Sequence, residues 1–243
     1  MRNVFIETKN VSNFAASMRE AQKAAPEPLF LVFTGPAGRG KTTAAREYAA
    51  QEGFVYARYG KGWKNELWML QDLCFELGID PVPKRKKPAF KAIEKRLLEN
   101  PTPVIIDEAD KFDLERLEWI RDLVDRTAVP FALVGEKLLL HLMNRERRFW
   151  SRTLRTVEFG PIQSTDILFF AKQALDCRLT AQQGEMLGQA AKGDFRPVKI
   201  ALQHLENLVE IHKAESVTDG LVKKAIARLK KEGDGKNTRT SRS

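Results

Sequence analysis

Short runs of hydrophobic residues recur along the first 160 residues, separated by polar segments with helical spacing. The run Leu29–Phe33 is uninterrupted, as is typical of a strand buried on both faces of a parallel sheet. The alternation predicts an α/β fold, a parallel five-stranded sheet with helices on both faces. The predicted strands cover 29–34, 54–59, 103–107, 131–134 and 156–159. The predicted helices cover 42–51, 65–77, 89–99 and 114–126, after a first helix that begins near Ser12.

The pattern changes at Gly160-Pro161, after which strand signals vanish. Four helical segments follow, predicted at 165–176, 180–192, 196–212 and 218–231. The chain end is polar and rich in Gly, Ser and Arg, which predicts disorder. We therefore expect three parts. They are an α/β core at 1–160, a small all-helical domain at 161–232, and a disordered basic tail at 233–243.

A glycine-rich segment joins the first predicted strand to the next helix. Residues 35–42 read GPAGRGKT and fit G-x-x-x-x-G-K-[ST], a loop whose amides surround phosphates. Lys41 is expected to reach the β- and γ-phosphates of ATP, and Thr42 to bind Mg²⁺. The alternative is a chance glycine-rich turn, which the buried strand before it and the helix after it disfavour. The predicted nucleotide-binding residues are Gly35, Pro36, Ala37, Gly38, Arg39, Gly40, Lys41, Thr42 and Thr43.

Two carboxylates, Asp107 and Glu108, end the third predicted strand. Asp107 suits a ligand of Mg²⁺, directly or through water, and Glu108 suits polarisation of the attacking water. A strand that merely ends in surface acids is the alternative, and the presence of Lys41 disfavours it. The adjacent pair favours a hydrolase over a small-molecule kinase.

The charge balance favours a polyanionic partner, although a basic tail on an ordinary enzyme would also produce it. The chain has 41 Lys and Arg against 32 Asp and Glu, a net charge of +9. Its two cysteines, Cys74 and Cys177, form no CxxC pair, which argues against a zinc knuckle or a disulfide scaffold. No apolar run is long enough to cross a membrane, and the first residues lack a secretory signal. We expect a cytoplasmic protein with no membrane partner.

Arginines cluster at 145–152, just before the last predicted strand. A guanidinium binds a terminal phosphate in bidentate fashion, so an arginine here could reach the nucleotide of a neighbouring copy. A solvated basic face or a contact to the DNA backbone is a serious alternative. Arg196 begins a predicted helix and could fold over the phosphates of its own chain, although alone it would be an ordinary surface arginine.

The order of these motifs resembles that of an AAA+ ATPase, with a P-loop core and a helical lid. Three stretches more closely resemble the MuB/TnsC group of DNA-transposition ATPases. They are ETKNV at 7–11, LEWIRDLVD at 117–125 and FALVGEKL at 131–138. The resemblance implies an ATP- and Mg²⁺-dependent ATPase that binds duplex DNA without sequence preference. It also implies assembly into filaments or rings, and recruitment of a transposase that stimulates hydrolysis.

The same resemblance implies roles for further residues. Arg152 matches the arginine finger, with Arg148 as the alternate, and Arg196 matches sensor 2. Sensor 1 falls on Glu136, where many relatives carry Asn or Thr. Asn10 and Val11 match residues that line the adenine pocket. Relatives of the Mu type carry an N-terminal DNA-binding extension, so here we expect DNA contacts from the core or the tail.

Two basic segments are candidates for DNA contact. Lys61 and Lys64, on either side of Trp63, are the first, and residues 84–87 of a predicted loop are the second, although a solvated loop is equally plausible there. The predicted DNA-binding residues are Lys61, Lys64, Lys84, Arg85, Lys86 and Lys87. Trp68, Trp119 and Phe169-Phe170 are expected to be core residues, and Trp150 interfacial.

Two other functions fit the same motifs. One is a helicase loader of the IstB/DnaC kind, which would bind a replicative helicase and prefer single strands. The other is a nucleotide-switch scaffold that never touches DNA and whose basic charge is confined to the tail. A comparison of binding to single- and double-stranded DNA distinguishes the helicase loader from the transposition ATPase. DNA affinity after deletion of the tail distinguishes the scaffold.

Overall fold

The computed structural model describes residues 1–2, 4–24, 26–175, 178–214 and 216–237. The chain divides into two compact units. The core unit comprises Lys9–Pro36 and Gly40–Phe159. The helical unit comprises Met1–Thr8, Ala37–Arg39 and the residues from Gly160 onward.

The core unit alternates strands and helices. The strands are β1 (Phe30–Thr34), β2 (Val55–Arg58), β3 (Val104–Asp107), β4 (Phe131–Val134) and β5 (Thr153–Glu158). The helices are α1 (Lys9–Ala24), α2 (Lys41–Glu52), α3 (Glu66–Glu76), α4 (Lys86–Glu99), α5 (Leu114–Thr127), α6 (Leu138–Asn144) and α7 (Arg147–Trp150), with a 3-10 turn at Ala109–Lys111. All strand pairs are parallel and the sheet order is β2-β3-β4-β1-β5. The prediction of a five-stranded parallel α/β sheet is confirmed.

Side chains of successive strand residues enter two separate apolar layers. Phe30 and Val32 of β1 pack with α3, α4 and α5 on one face, whereas Leu31 and Phe33 pack with α1 and α2 on the other. Every residue of β1, β3 and β4 is buried. This two-sided burial is why these strands read as continuous hydrophobic runs rather than alternating ones.

The helical unit contains α8 (Ser164–Leu175), α9 (Ala181–Ala191), α10 (Phe195–His212) and α11 (Asp219–Asn237). Its core includes Ile167, Phe170, Leu202 and Val222, and the Phe170 and Phe195 ring centroids are 4.8 Å apart. The prediction of a helical C-terminal region is confirmed. Within the described residues, none of the helices is long and apolar enough to cross a membrane.

Several expected boundaries are wrong. Helix α11 is described to Asn237, beyond the predicted helix end at 231. The disorder predicted for 233–243 stays a prediction, and residues 238–243 lie outside the described residues. Helix α4 begins at Lys86, not at 89, because a proline such as Pro88 is tolerated in a first turn. Lys86 and Lys87 are therefore helical, not loop, residues. The sequence patterns also missed α6 and α7, which are short.

The two tryptophans that follow β2 differ in burial. Trp63 is 2% exposed, packs with Tyr59 and Phe112, and bonds Asp72 through its indole N–H. Trp68, expected in the core, is 41% exposed, because α3 packs through Met69, Leu70, Leu73 and Cys74.

Burial of the other aromatic residues that were expected in the core differs from residue to residue. Phe169 is half exposed, contrary to expectation, whereas Phe170 is buried as expected. Trp119 packs against Phe90 at the edge of the core, with ring centroids 5.4 Å apart.

Substitution of Trp63 should therefore destabilise the fold far more than substitution of Trp68. We expect Trp63→Ala to lower the free energy of unfolding by about 3–5 kcal/mol, since it leaves a large cavity and an unpaired Asp72. Trp68→Ala, the matched control, should cost less than about 1 kcal/mol. Urea denaturation followed by circular dichroism measures both, and equal losses would contradict the packing described.

Candidate nucleotide site

The phosphate loop leaves the carboxyl end of β1 and enters α2. Gly35 has φ 147°, and a Cβ there would lie 2.8 Å from the Phe159 carbonyl oxygen, so only glycine fits. Gly40 caps α2 with φ 88° and, as a glycine, supplies no side-chain hydrogen bond to the helix N-terminus. The first amides of α2 thus have no side-chain cap, as an anion-binding helix end requires.

Lys41 is the first residue of α2 and turns back into the loop. Its ammonium donates to the Gly35 carbonyl at 2.6 Å and the Pro36 carbonyl at 2.9 Å. Burial lowers the pKa of Lys41, and the nearby carboxylates, with Glu136 and Asp110 the largest contributors, oppose that effect. Carbonyl oxygens therefore hold the Lys41 ammonium at the loop. A phosphate oxygen could take their place as its hydrogen-bond acceptor.

Asp107 ends β3 and is only 2% exposed. Its Oδ2 accepts a hydrogen bond from the Tyr56 hydroxyl at 3.0 Å, and its Oδ1 accepts from the Glu108 amide at 2.9 Å. Burial and the charge of Asp107 raise the pKa of Tyr56, so the phenol remains a donor. No local pattern in the sequence points to Tyr56, because only the pairing of β2 with β3 brings it to this carboxylate.

Glu108 has left-handed backbone geometry, with φ 62°, at the turn after β3. Arg58 bonds one carboxylate oxygen at 2.9 Å and Lys111 approaches the other at 2.5 Å. Hydrogen bonds from Lys111 and Arg58 lower the pKa of Glu108, so its ionised form is favoured. Neither cation was predicted. Lys111 lies three residues along the chain, whereas Arg58 becomes a neighbour only through the sheet.

The end of β4 is tied to the turn after β3. The Glu136 amide donates to Asp110 Oδ1 at 3.0 Å, and a Cβ on Gly135 would lie 2.5 Å from that same oxygen. Glycine at 135 therefore lets the two turns approach closely. The side chain of Glu136 is exposed, and its assignment to sensor 1 stays a prediction.

The two candidate finger arginines contact acids of α5. Arg152 bonds Asp125 through Nε, and Arg148 Nη2 lies 2.6 Å from Glu118 Oε1. Both pairs lie on the same outer face of the core unit. Their action on a neighbouring copy stays a prediction.

Arg196 lies in the first turn of α10, where Asp194 caps the helix by accepting from the Arg196 amide at 2.8 Å. The Arg196 side chain is exposed. Asn10 and Val11 lie in the first turn of α1, and Val11 packs against the layer formed by α1 and α2. The roles predicted for these three residues are not tested by the fold.

Most of the candidate DNA-binding residues are exposed. Lys61, Lys84, Arg85 and Lys87 are exposed, and the exposed Lys64 lies over the Trp68 ring, 5.3 Å from its centroid. Lys86 differs, because its ammonium lies 2.6 Å from the carboxylate of Glu66. Glu66 is 7% exposed, so Lys86 joins α4 to α3 rather than lying unpaired at the surface.

The donor set of the site matches what Mg²⁺ prefers, a hydroxyl from Thr42 and a carboxylate from Asp107. Among the described residues, no group of three or more His, Cys, Asp or Glu could hold a metal by itself. Mg²⁺ commonly keeps several waters and is bound by one or two protein groups together with substrate phosphates, a pattern that a hydroxyl and a carboxylate fit.

Sequence comparisons agree with this geometry. The AAA domain family model matches residues 26–143. The ATP-dependent target DNA activator B of Escherichia phage Mu is 35% identical over 161 residues, 66% of this chain and 48% of that protein. The DNA transposition protein B of the Mu-like prophage FluMu of Haemophilus influenzae is 27% identical over 170 residues, 67% of this chain and 58% of that protein. The chain spans about half the length of the curated relatives it matches.

Comparisons with solved structures address the fold alone. Cdc6p of Pyrobaculum aerophilum is similar with a TM-score of 0.69 at 16% identity, covering 93% of this chain and 69% of that one. A RuvB mutant of Thermotoga maritima has a TM-score of 0.63 at 19% identity, covering 93% and 71%.

The five-stranded sheet and its phosphate loop have the fold of AAA+ P-loop proteins. The resemblance to the transposition B proteins of Mu-like phages is confirmed by the sequence matches.

The cations around Glu108 predict a measurable titration. Lys111→Met removes the largest contributor to the lowered pKa of Glu108, so we expect that pKa to rise toward the ordinary glutamate value. Carbon NMR of the carboxyl groups measures it, with Glu108→Gln to assign the signal. Lys137→Met, which removes the partner of Glu158, should leave it unchanged.

The lowered pKa of Glu108 also determines how its ion pairs affect the free energy of unfolding as pH changes. Because the folded pKa of Glu108 is lowered, its ion pairs stabilise the fold above the unfolded pKa, and that contribution is lost as pH falls through the folded pKa. An unaltered titration in Lys111→Met would contradict the contacts described.

Proposed function

We propose that this chain is an ATPase that binds duplex DNA without sequence preference, assembles on it, and recruits a transposase to target DNA. The observation that carries the proposal is the joint presence of the Lys41 loop and the Asp107-Glu108 turn in a protein related to the Mu target DNA activator. That relative's name states ATP dependence and action on target DNA. The net charge of +9 supports a nucleic-acid partner.

Hydrolysis follows from the positions of the chain's own groups. The loop amides and Lys41 would hold the β- and γ-phosphates, and Thr42 with Asp107 would hold Mg²⁺, which neutralises charge on the phosphate oxygens. Glu108 is favoured as a carboxylate and would orient the attacking water. It must first loosen its bonds to Arg58 and Lys111, because both of its oxygens are engaged.

Assembly would place the nucleotide between copies. Arg152 of one copy, with Arg148 as the alternate, would approach the terminal phosphate of the next copy, while Arg196 acts within its own chain. ATP-bound copies are then favoured on DNA, and hydrolysis times their release.

Nucleotide binding and hydrolysis can be separated by two substitutions. Lys41→Ala should abolish nucleotide binding and ATP-dependent assembly, because the phosphates lose their cation. Glu108→Gln should keep binding, slow hydrolysis, and give long-lived filaments or rings. Nucleotide titration, phosphate release and negative-stain images with ATP and linear duplex measure these effects.

The outcome of those images also tests the proposal as a whole. Lys137→Ala, which removes an exposed lysine close to the end of β4, is the matched control and should assemble normally. A wild-type chain that stays monomeric with a slowly hydrolysed ATP analogue and linear duplex would overturn the assembly on DNA.

The basic segment after β2 predicts a salt-dependent contact. Replacing Lys61 and Lys64 together by Ala should weaken duplex binding about equally for all sequences and reduce the slope of log K against log salt by about 2. Filter binding at several salt concentrations measures it. Lys95→Ala, an exposed lysine of α4 paired with Glu99, is the control. An unchanged slope would exclude this segment, and a preference for single strands would favour a helicase loader.

A further inference from the structure

Helix α5 contains residues 117–125, the stretch that resembles transposition ATPases. These residues take no part in the nucleotide site described above. Its apolar side is accounted for, since Leu117, Ile120 and Leu123 are fully buried under the sheet. Its polar side remains. Glu118, Arg121, Asp122 and Asp125 recur at spacings of three and four residues, which places them on one helix face.

These polar residues form one continuous network with the arginine cluster. Arg121 lies 3.1 Å from Glu118, 2.8 Å from Asp122 and 4.0 Å from Asp125. Glu118 in turn pairs with Arg148, and Asp125 with Arg152. The polar face of α5 is therefore the surface against which both candidate finger arginines lie.

The main chain at Arg152 is fixed to the sheet. The Phe30 amide of strand β1 donates to the Arg152 carbonyl at 2.7 Å, and the Arg152 amide donates to the Phe149 carbonyl at 3.2 Å. The residue immediately precedes β5. The orientation of its guanidinium therefore depends on the side chain alone.

The guanidinium of Arg152 has five N–H groups, and three of them have partners. Nε donates to Asp125, while Nη1 donates to the Arg148 carbonyl at 3.1 Å and the Ser151 hydroxyl at 3.2 Å. Within the described part of the chain, Nη2 has no hydrogen-bond partner. The group is therefore oriented at one edge, with two N–H groups left for an anion.

Arg148 is held differently. Its Nη2 atom lies against Glu118, and its Nε is 3.7 Å from Glu146. Its Nε therefore lacks the close carboxylate partner that the Nε of Arg152 has in Asp125, so nothing orients the Arg148 guanidinium in the same way. This contrast favours Arg152 over Arg148 as the residue that reaches a second copy.

We propose that Asp125 is a positioning residue for Arg152, holding the guanidinium through Nε so that Nη2 can bond the terminal phosphate of a nucleotide in a neighbouring copy. This rests on the proposed function, in which Arg152 acts between copies. An ion pair of this kind orders the long arginine side chain before assembly, so less freedom is lost when the second copy binds.

The test is a mixing experiment. Asp125→Ala alone should bind ATP with wild-type affinity but lose at least about twentyfold in DNA-stimulated turnover, because its finger is disordered. Glu108→Gln alone should turn over slowly, yet its finger is intact. An equimolar mixture should recover about a quarter of the wild-type rate, since a random head-to-tail assembly sets an intact site beside an intact finger at about one contact in four.

Three controls make the result specific. Asp122→Ala changes an acid of the same helix face that pairs with Arg121 rather than Arg152, and should keep wild-type turnover. The doubly substituted chain, Asp125→Ala with Glu108→Gln, should fail to rescue the Asp125→Ala chain. Thermal unfolding should change little in Asp125→Ala, because exposed ion pairs contribute little to stability.

Each outcome addresses one of the two proposals. Wild-type turnover and assembly in Arg152→Ala would remove Arg152 from its proposed role. If Arg152→Ala is defective while Asp125→Ala is fully active, the positioning role is wrong and the proposed function survives. A defective Asp125→Ala chain that the Glu108→Gln chain does not rescue would also overturn the positioning role, since the defect would then not lie in the finger.

Discussion

β4 lies between β1 and β3 in a sheet whose strands all run in one direction, and this neighbourhood is the constraint on which the site depends. The carboxyl ends of these strands carry the phosphate loop, Asp107 and Gly135 to one edge of the sheet. Because β1, β3 and β4 are buried on both faces, a slip of one residue would exchange the side chains of two apolar layers. Packing of the core, rather than attraction among the polar groups, therefore sets where those groups stand.

Charge within the site is balanced by opposed groups at short range. Lys41 bonds loop carbonyls and feels several carboxylates, while Glu108 is held by Arg58 and Lys111. A nucleotide carrying its cation would replace one set of partners by another rather than meet isolated charges. Such exchange costs less than burial of an unpaired ion.

Opposite charges are also paired on the polar face of α5, where acids of this helix contact Arg148 and Arg152. Helix α5 contributes buried Leu and Ile side chains to the core, while its acids order the arginines before β5. One helix thus serves packing on one side and, in the function proposed, contact between copies on the other. This dual use gives a physical reason for the whole stretch at 117–125, both its apolar and its charged positions.

The sequence by itself determined the sheet, the phosphate loop and the acidic turn, because each has a local signature. Two-sided burial makes a strand uniformly apolar, and the loop requires glycine and lysine at set spacings. Only the tertiary structure decided which residues distant in sequence contact the loop and the acidic turn. Tyr56 and Arg58 meet Asp107 and Glu108 because β2 pairs with β3. Trp68 is exposed because α3 packs through its other face. Asp125 meets Arg152 because α5 lies beside the start of β5. Local patterns specify what a segment forms, whereas packing specifies which segments become neighbours.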